Sequence, residues 1–168
     1  MTPASNLSSL RSIEEVVSTI EREAISEHLH ANVELKDEWA QKHGGKISTL
    51  SNKLDQIVTF LIIGVSDDGK LVGRSEKWAK QTEEIVSQHI NQQLDPVQAC
   101  KNIVTRKIGH GWVVIVTIQN PGEVTYWGNH AYQAAGTTIA EMEPEEILKL
   151  RIQLPGLIDY SNQTHRSS

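Results

Sequence analysis

Apolar residues first recur at helical spacing at Ile13, Val16, Val17, Ile20, Ala24 and Ile25, which predicts an amphipathic helix with one buried stripe. Ser12 stands just before it and Glu15 three residues later, the spacing at which a hydroxyl and a carboxylate cap the free amides of a first turn. Asn32–Lys36 alternates and reads as a short strand. Asp37–Gly45 reads as a loop or broken helical turn ending at the two glycines, and Lys46–Leu54 as a short helix. Gln56–Val65 is β-branched and apolar on both faces, the pattern of a strand buried inside a sheet. Ser66–Gly69 is a tight turn, because Asp68-Gly69 tolerates positive φ, and Lys70–Val72 returns from it as the second arm of a hairpin.

Ser75 is placed to cap a second, longer helix on which Trp78, Thr82, Ile85, Val86, His89 and Ile90 share a face. Asp95-Pro96 ends it, since the residue before proline is pushed out of the helical region. Strands are expected at Ala99–Ile108, Trp112–Gln119 and about Ala131–Ala135, the first two joined by a three-residue loop, Gly109-His110-Gly111. Pro144 sits early in a last short helix reaching Leu150. Too many of these strands are joined by hairpins for a doubly wound parallel fold. The order predicts an α+β domain: a mixed, largely hairpin-connected sheet flanked by helices.

A chain of 168 residues suits one core, expected over residues 11–158, with the Ser-, Thr-, Asn- and Gln-rich ends 1–10 and 159–168 flexible. No segment approaches the roughly 18 apolar residues of a membrane span. Met1–Leu10 lacks the basic start and apolar stretch of a signal peptide, so a cytoplasmic location is expected. Cys100 is alone, which excludes an internal disulfide framework and a cysteine-rich zinc site. The net charge of −5 argues against a histone-like coat for nucleic acid, so phosphate affinity would have to come from a local patch.

Such a patch is available. Lys36, Lys42, Lys46, Lys53, Lys70, Arg74, Lys77 and Lys80 bunch around the short strand and the hairpin, with Trp39 and His43 among them. Trp39 has two readings, an exposed ring stacking on a base or a core residue. Trp78 and Trp112 read as core, and Trp127, beside Gly128, as a candidate exposed aromatic. His28 and His30, two apart, would share one side of a strand and face a metal together, or be ordinary polar residues on a solvated face. Gly44-Gly45-Lys46-Ile47-Ser48 is too poor an echo of a phosphate-binding loop to support ATP binding.

Four segments in order resemble the Schlafen/AlbA-type domain. Val33-Glu34-Leu35-Lys36 is similar to its LEFK strand, and Ile47–Asn52 to the following ISAFAN helix. Ile63–Gly73 is similar to its IGVDDDGKIVG hairpin, and Ala131–Thr138 with Glu143–Glu146 to its YYIRVGSST and SPEE end. The resemblance runs from about Glu27 to Leu150 and implies a domain that binds RNA or DNA, with self-association into a homo-oligomer also expected. In nuclease members three carboxylates hold Mg²⁺ or Mn²⁺, which activates water against a phosphodiester. Of their positions only Glu34 is retained here. The first is Leu29, with Glu27 the nearest substitute, and the third is Ser66, with Asp67 and Asp68 just beyond. The arginine before the late glycine is Ala134.

The resemblance therefore implies nucleic-acid binding without efficient catalysis, through Lys36, Trp39, Lys42, Lys46, Lys70, Arg74 and Lys77. One alternative is a metal-dependent endoribonuclease using Glu34, Asp67, Asp68 and Glu27, with Glu34 and Asp67 as metal ligands. Another is an oligomerisation module of a larger defence or regulatory protein. On the residues alone, Glu34 has a plainer reading, an ion pair with Lys36 or an arginine, and the aspartates merely form the turn.

Overall fold

The computed structural model describes residues 7–154. Four helices, α1 (Ile13–Glu21), α2 (Gly44–Asn52), α3 (Glu76–Gln93) and α4 (Pro144–Gln153), accompany eight strands. Strands β1 (Val33–Lys36), β2 (Thr59–Ile63), β4 (Cys100–Ile108) and β5 (Gly111–Ile118) form one sheet in the order β1-β2-β5-β4. Strands β3 (Leu94–Asp95), β6 (Tyr126–Trp127), β7 (His130–Ala135) and β8 (Thr138–Glu141) form a second in the order β3-β6-β7-β8. The α+β arrangement expected from the pattern is present, divided between two sheets.

In the first sheet only β1 and β2 run parallel; β2 pairs antiparallel with β5 after a long excursion through α3, and β5 pairs with β4 as a hairpin. Both faces of this sheet are covered, which explains why β2 and β5 read as unbroken apolar runs. Phe60, Ile62, Val113 and Ile115 meet Val16 and Ile20 of α1 on one face. Leu61, Ile63, Val114 and Val116 meet Ile47 of α2 and Val86 and Ile90 of α3 on the other. Helix α4 covers the second sheet through Leu150, which packs with Val124 and Ala131.

Local signals set several boundaries. The Ser12 and Ser75 hydroxyls accept the amides of Glu15 and Trp78 and start α1 and α3. Helix α1 stops at Glu21, short of the expected stripe, because Glu23 takes φ 55°, and Ile25 reaches the core from the following loop. On α3, Ile85 is 45% exposed and falls off the buried face. The second hairpin arm is reduced to a single bridge between Val65 and Leu71, closed by Ser66 N–H to the Lys70 carbonyl at 2.8 Å. Gly69 (φ 84°) is required at its tip, where a Cβ would stand 2.3 Å from the Ile25 carbonyl oxygen. The β4–β5 connection is a two-residue turn, since Gly111 pairs with Ile108.

Gly44 and Gly45 do not end a loop. They open α2, after a 3-10 turn at Gln41–His43, because the helix lies against the second sheet. A Cβ at Gly44 would fall 1.7 Å from the Trp127 ring, and one at Gly45 2.7 Å from the Ile139 Cδ1. Trp127 is consequently buried, not exposed. Of the ends expected to be flexible, Leu7–Leu10 is tied down: Ser8 bridges His30, and the buried Asn32 side chain bonds both the amide and the carbonyl of Leu10. The remainder, 1–6 and 155–168, lies outside the described residues.

Candidate functional site

Parallel pairing of β1 with β2 carries the end of β1 to the base of the hairpin, where Gly64 N–H donates to the Lys36 carbonyl at 2.7 Å. The VELK and SDDG segments therefore lie side by side, as expected. Alternation along β1 sends Val33 and Leu35 into the α1 layer and Glu34 and Lys36 to the side of α2. There Lys46, from the first turn and a half of α2, stands 3.7 Å from Glu34 Oε1, and Lys36 stands 3.8 Å from Oε2.

Burial is the first reason that the Glu34 carboxyl is held above its ordinary value, and the neighbouring Glu27 is the second; the two lysines pull it down without cancelling them. Glu27 is occupied: its Oε2 accepts the Leu35 amide at 2.6 Å, along the outer edge of β1. Asp68 is turned back on its own hairpin, accepting from the Ser66 hydroxyl, which is the main reason its carboxyl is held low. Asp67 lies on the wall of a depression shared with Lys36. Among the described residues no three His, Cys, Asp or Glu side chains are placed to share a metal ion. Nor does the donor set fit Mg²⁺ or Mn²⁺, which want several free oxygens, because each Glu34 oxygen already faces an ammonium group. His28 and His30 are separated too, one exposed and one buried with its Nδ1 against the Ser26 backbone.

Beside Glu34 opens a depression of about 600 Å³ whose wall includes Lys36, Trp39, Lys42, His43, Asp67 and Arg74. Arg74 is oriented from both sides, with one nitrogen 2.7 Å from Glu38 Oε1 and its guanidinium 5.1 Å over the Trp78 ring. Trp39 combines both expectations. It is half-buried, packed 6.2 Å from Trp127 with its indole N–H donated to His89 Nδ1 at 2.9 Å, yet it lines the depression. His43 Nδ1 accepts the Ala40 amide at 3.1 Å, so the neutral ring carries its proton on Nε2. Burial first, then Lys36 and Lys42, holds its pKa below the ordinary 6.5.

Three expected binding residues stand outside that lining, the first being Lys46, which is turned to Glu34. Lys70 lines a different depression, with Glu21, Glu23 and His110, and Lys77 is an exposed residue of the first turn of α3, outside the lining of the depression beside Glu34. Acids also interleave the cations of the main depression: Asp37, Glu38 and Asp67 share its wall. Glu38 and His89, which hold Arg74 and Trp39, carry no local signal in the sequence, since each partner is 36 or 50 residues away.

A search of curated proteins found no match. Among solved structures, the crystal structure of the DIP2311 protein from Corynebacterium diphtheriae is similar, with a TM-score of 0.54 and 12% identity over 80% of this chain. That likeness concerns the fold alone, and this chain spans 27% of the length of that protein. The family model described as Schlafen, AlbA_2 matches residues 30–143. This interval holds β1, the hairpin and every residue placed around the depression, and by it the chain belongs to the Schlafen, AlbA_2 family.

Proposed function

We propose that this domain binds nucleic acid, RNA or DNA, at the depression beside the end of β1, and does so without efficient cleavage. The convergence of Lys36, Lys42 and Arg74 with Trp39 on that one depression carries the reading. Ammonium and guanidinium groups take phosphate oxygens, and aromatic surface takes a base. Membership of the Schlafen/AlbA-type family supports it independently.

The absence of efficient cleavage follows from the state of Glu34. Its two flanking lysines supply the positive charge that a metal ion would bring, but an ammonium does not generate a hydroxide nucleophile as a bound metal does. Mobility-shift titration against tRNA, single-stranded RNA and duplex DNA tests binding, with salt-sensitive shifts expected for at least one of them. No salt-sensitive shift with any of them refutes it. Incubation with Mg²⁺ or Mn²⁺ tests the second half: RNA cleavage that disappears in Glu34→Ala would reinstate the endoribonuclease reading.

A further inference from the structure

The cations around the depression form a spot, not a track. Within its wall three cations, Lys36, Lys42 and Arg74, are matched by three acids, Asp37, Glu38 and Asp67. Two of these three are themselves paired, Arg74 with Glu38 at 2.7 Å and Lys36 with Glu34 at 3.8 Å, and several cations outside the wall are likewise engaged or sit among acids. Lys80 pairs with Glu76 at 3.5 Å and shares a broad polar groove with Glu83 and Glu84 between α3 and β4. Arg106 pairs with Glu14 at 2.8 Å, Lys53 lies 4.0 Å from Asp55, and Lys70 stands with Glu21 and Glu23.

A duplex cannot adapt to such a surface. It carries about one negative charge per 1.7 Å of its axis, in fixed positions on both strands, and its base faces are stacked away. Laid across the depression, it would bring further phosphates against Asp37, Glu38 and Asp67. A single strand can swing each phosphate independently and offer an unstacked base. The depression, about 600 Å³, has the size of a small-ligand pocket (roughly 300–1,000 Å³) and an aromatic wall in Trp39 and His43. His43 adds an uncharged donor, its Nε2–H, whose tautomer the Ala40 amide fixes.

We infer that the ligand of this site is single-stranded nucleic acid, entering the depression by a nucleotide or two, with its phosphates on Lys36, Lys42 and Arg74 and a base against Trp39 and His43. The inference rests on the nucleic-acid reading above and narrows it. Two properties follow. Affinity is weakly sequence-dependent, because every base has a stacking face. Salt dependence is shallow, because three neutralised phosphates on a single strand give a slope of log K against log salt of about −2.

The test is fluorescence anisotropy with a labelled single-stranded oligonucleotide and the same sequence as a duplex, over a series of salt concentrations. We expect the single strand to bind about tenfold tighter or more, as stacking of a base requires. Lys42→Ala, at an exposed position, should make the slope shallower by about 0.7. A duplex that binds as tightly as the strand overturns the inference and leaves nucleic-acid binding standing, as does a slope steeper than about −4. No salt-dependent binding of either probe overturns the broader reading and this one with it.

Discussion

Gly44→Ala separates a helix seated on a sheet from a helix merely following a loop. By backbone propensity alone, alanine at a helical position is preferred over glycine by about 1 kcal/mol. Here the new Cβ would lie 1.7 Å from Trp127 Cε2 and 2.2 Å from both Cδ2 and Cζ2, all atoms of a rigid and buried ring. Ordinary carbon contacts lie near 3.5–4.0 Å, so helix and indole must part by about 2 Å. Overpacking of this kind costs about 1–3 kcal/mol and sometimes more, and here the moving ring also underlies Trp39 at 6.2 Å. With the clash at the upper end of that range and the propensity gain set against it, we expect a net loss of about 1–3 kcal/mol, which for a domain of this size lowers the melting midpoint by roughly 2–12 °C.

Gly45→Ala is the internal control. Its Cβ would meet the Ile139 Cδ1 at 2.7 Å, the far end of a half-buried side chain that can rotate aside, and the Tyr132 ring at 3.3 Å, which need give only a few tenths of an ångström, so its effect should stay within about 1 kcal/mol. Urea denaturation followed by tryptophan fluorescence measures both variants. If Gly44→Ala is as stable as the parent, or less damaged than Gly45→Ala, the seating of α2 on Trp127 is wrong.

Three further outcomes are expected. Glu34→Gln should raise thermal stability at neutral pH, because burial and Glu27 hold the carboxyl above 4.5; the parent loses stability as pH rises from 4.5 through the raised pKa, so the advantage must vanish below pH 4.5, and an advantage present only in acid would contradict the assignment. Burial pushes the Cys100 thiol up to about 11, so alkylation of the native protein by iodoacetamide at pH 8 should run about a hundredfold slower than in urea, and equal rates would place the thiol in solvent. Asn32→Ala removes bonds to the Leu10 amide and to the Leu10 and Val58 carbonyls from a side chain 1% exposed, and should cost about 2–4 kcal/mol by chemical denaturation; a change under about 0.5 kcal/mol would show that water replaces them freely.

Much of this fold was legible because its cues are local. The hydroxyls of Ser12 and Ser75, the unbroken apolar run of β2 and the Asp68-Gly69 turn each act within a few residues. What escaped was set across the molecule. A Gly-Gly pair means a turn or a close approach equally well, and only Trp127, 83 positions after Gly44, decides between them. The division of the strands into two sheets is likewise a tertiary event, fixed partly by α2, whose Ser48 hydroxyl joins the Thr125 carbonyl and the Tyr132 amide. At the site, the strand and hairpin lie together as expected, but the cations divide between more than one surface. Lys70 and Lys77 are near in sequence to Arg74 but leave in other directions, and the acids interleaved with Lys36 and Lys42 belong to the same short loop.

The bond from the Leu35 amide to Glu27 has a wider bearing. Strand β1 is the outermost member of its sheet, and an open border of that kind invites any extended chain to zip on, whether a neighbour in a crowded cell or a misfolded copy. By seating a carboxylate on one of the outward-pointing amides, the protein occupies a docking point that β-strand addition would use. The border of β1 is thereby closed at the Leu35 amide by a charged group, which a strand arriving from outside would have to displace.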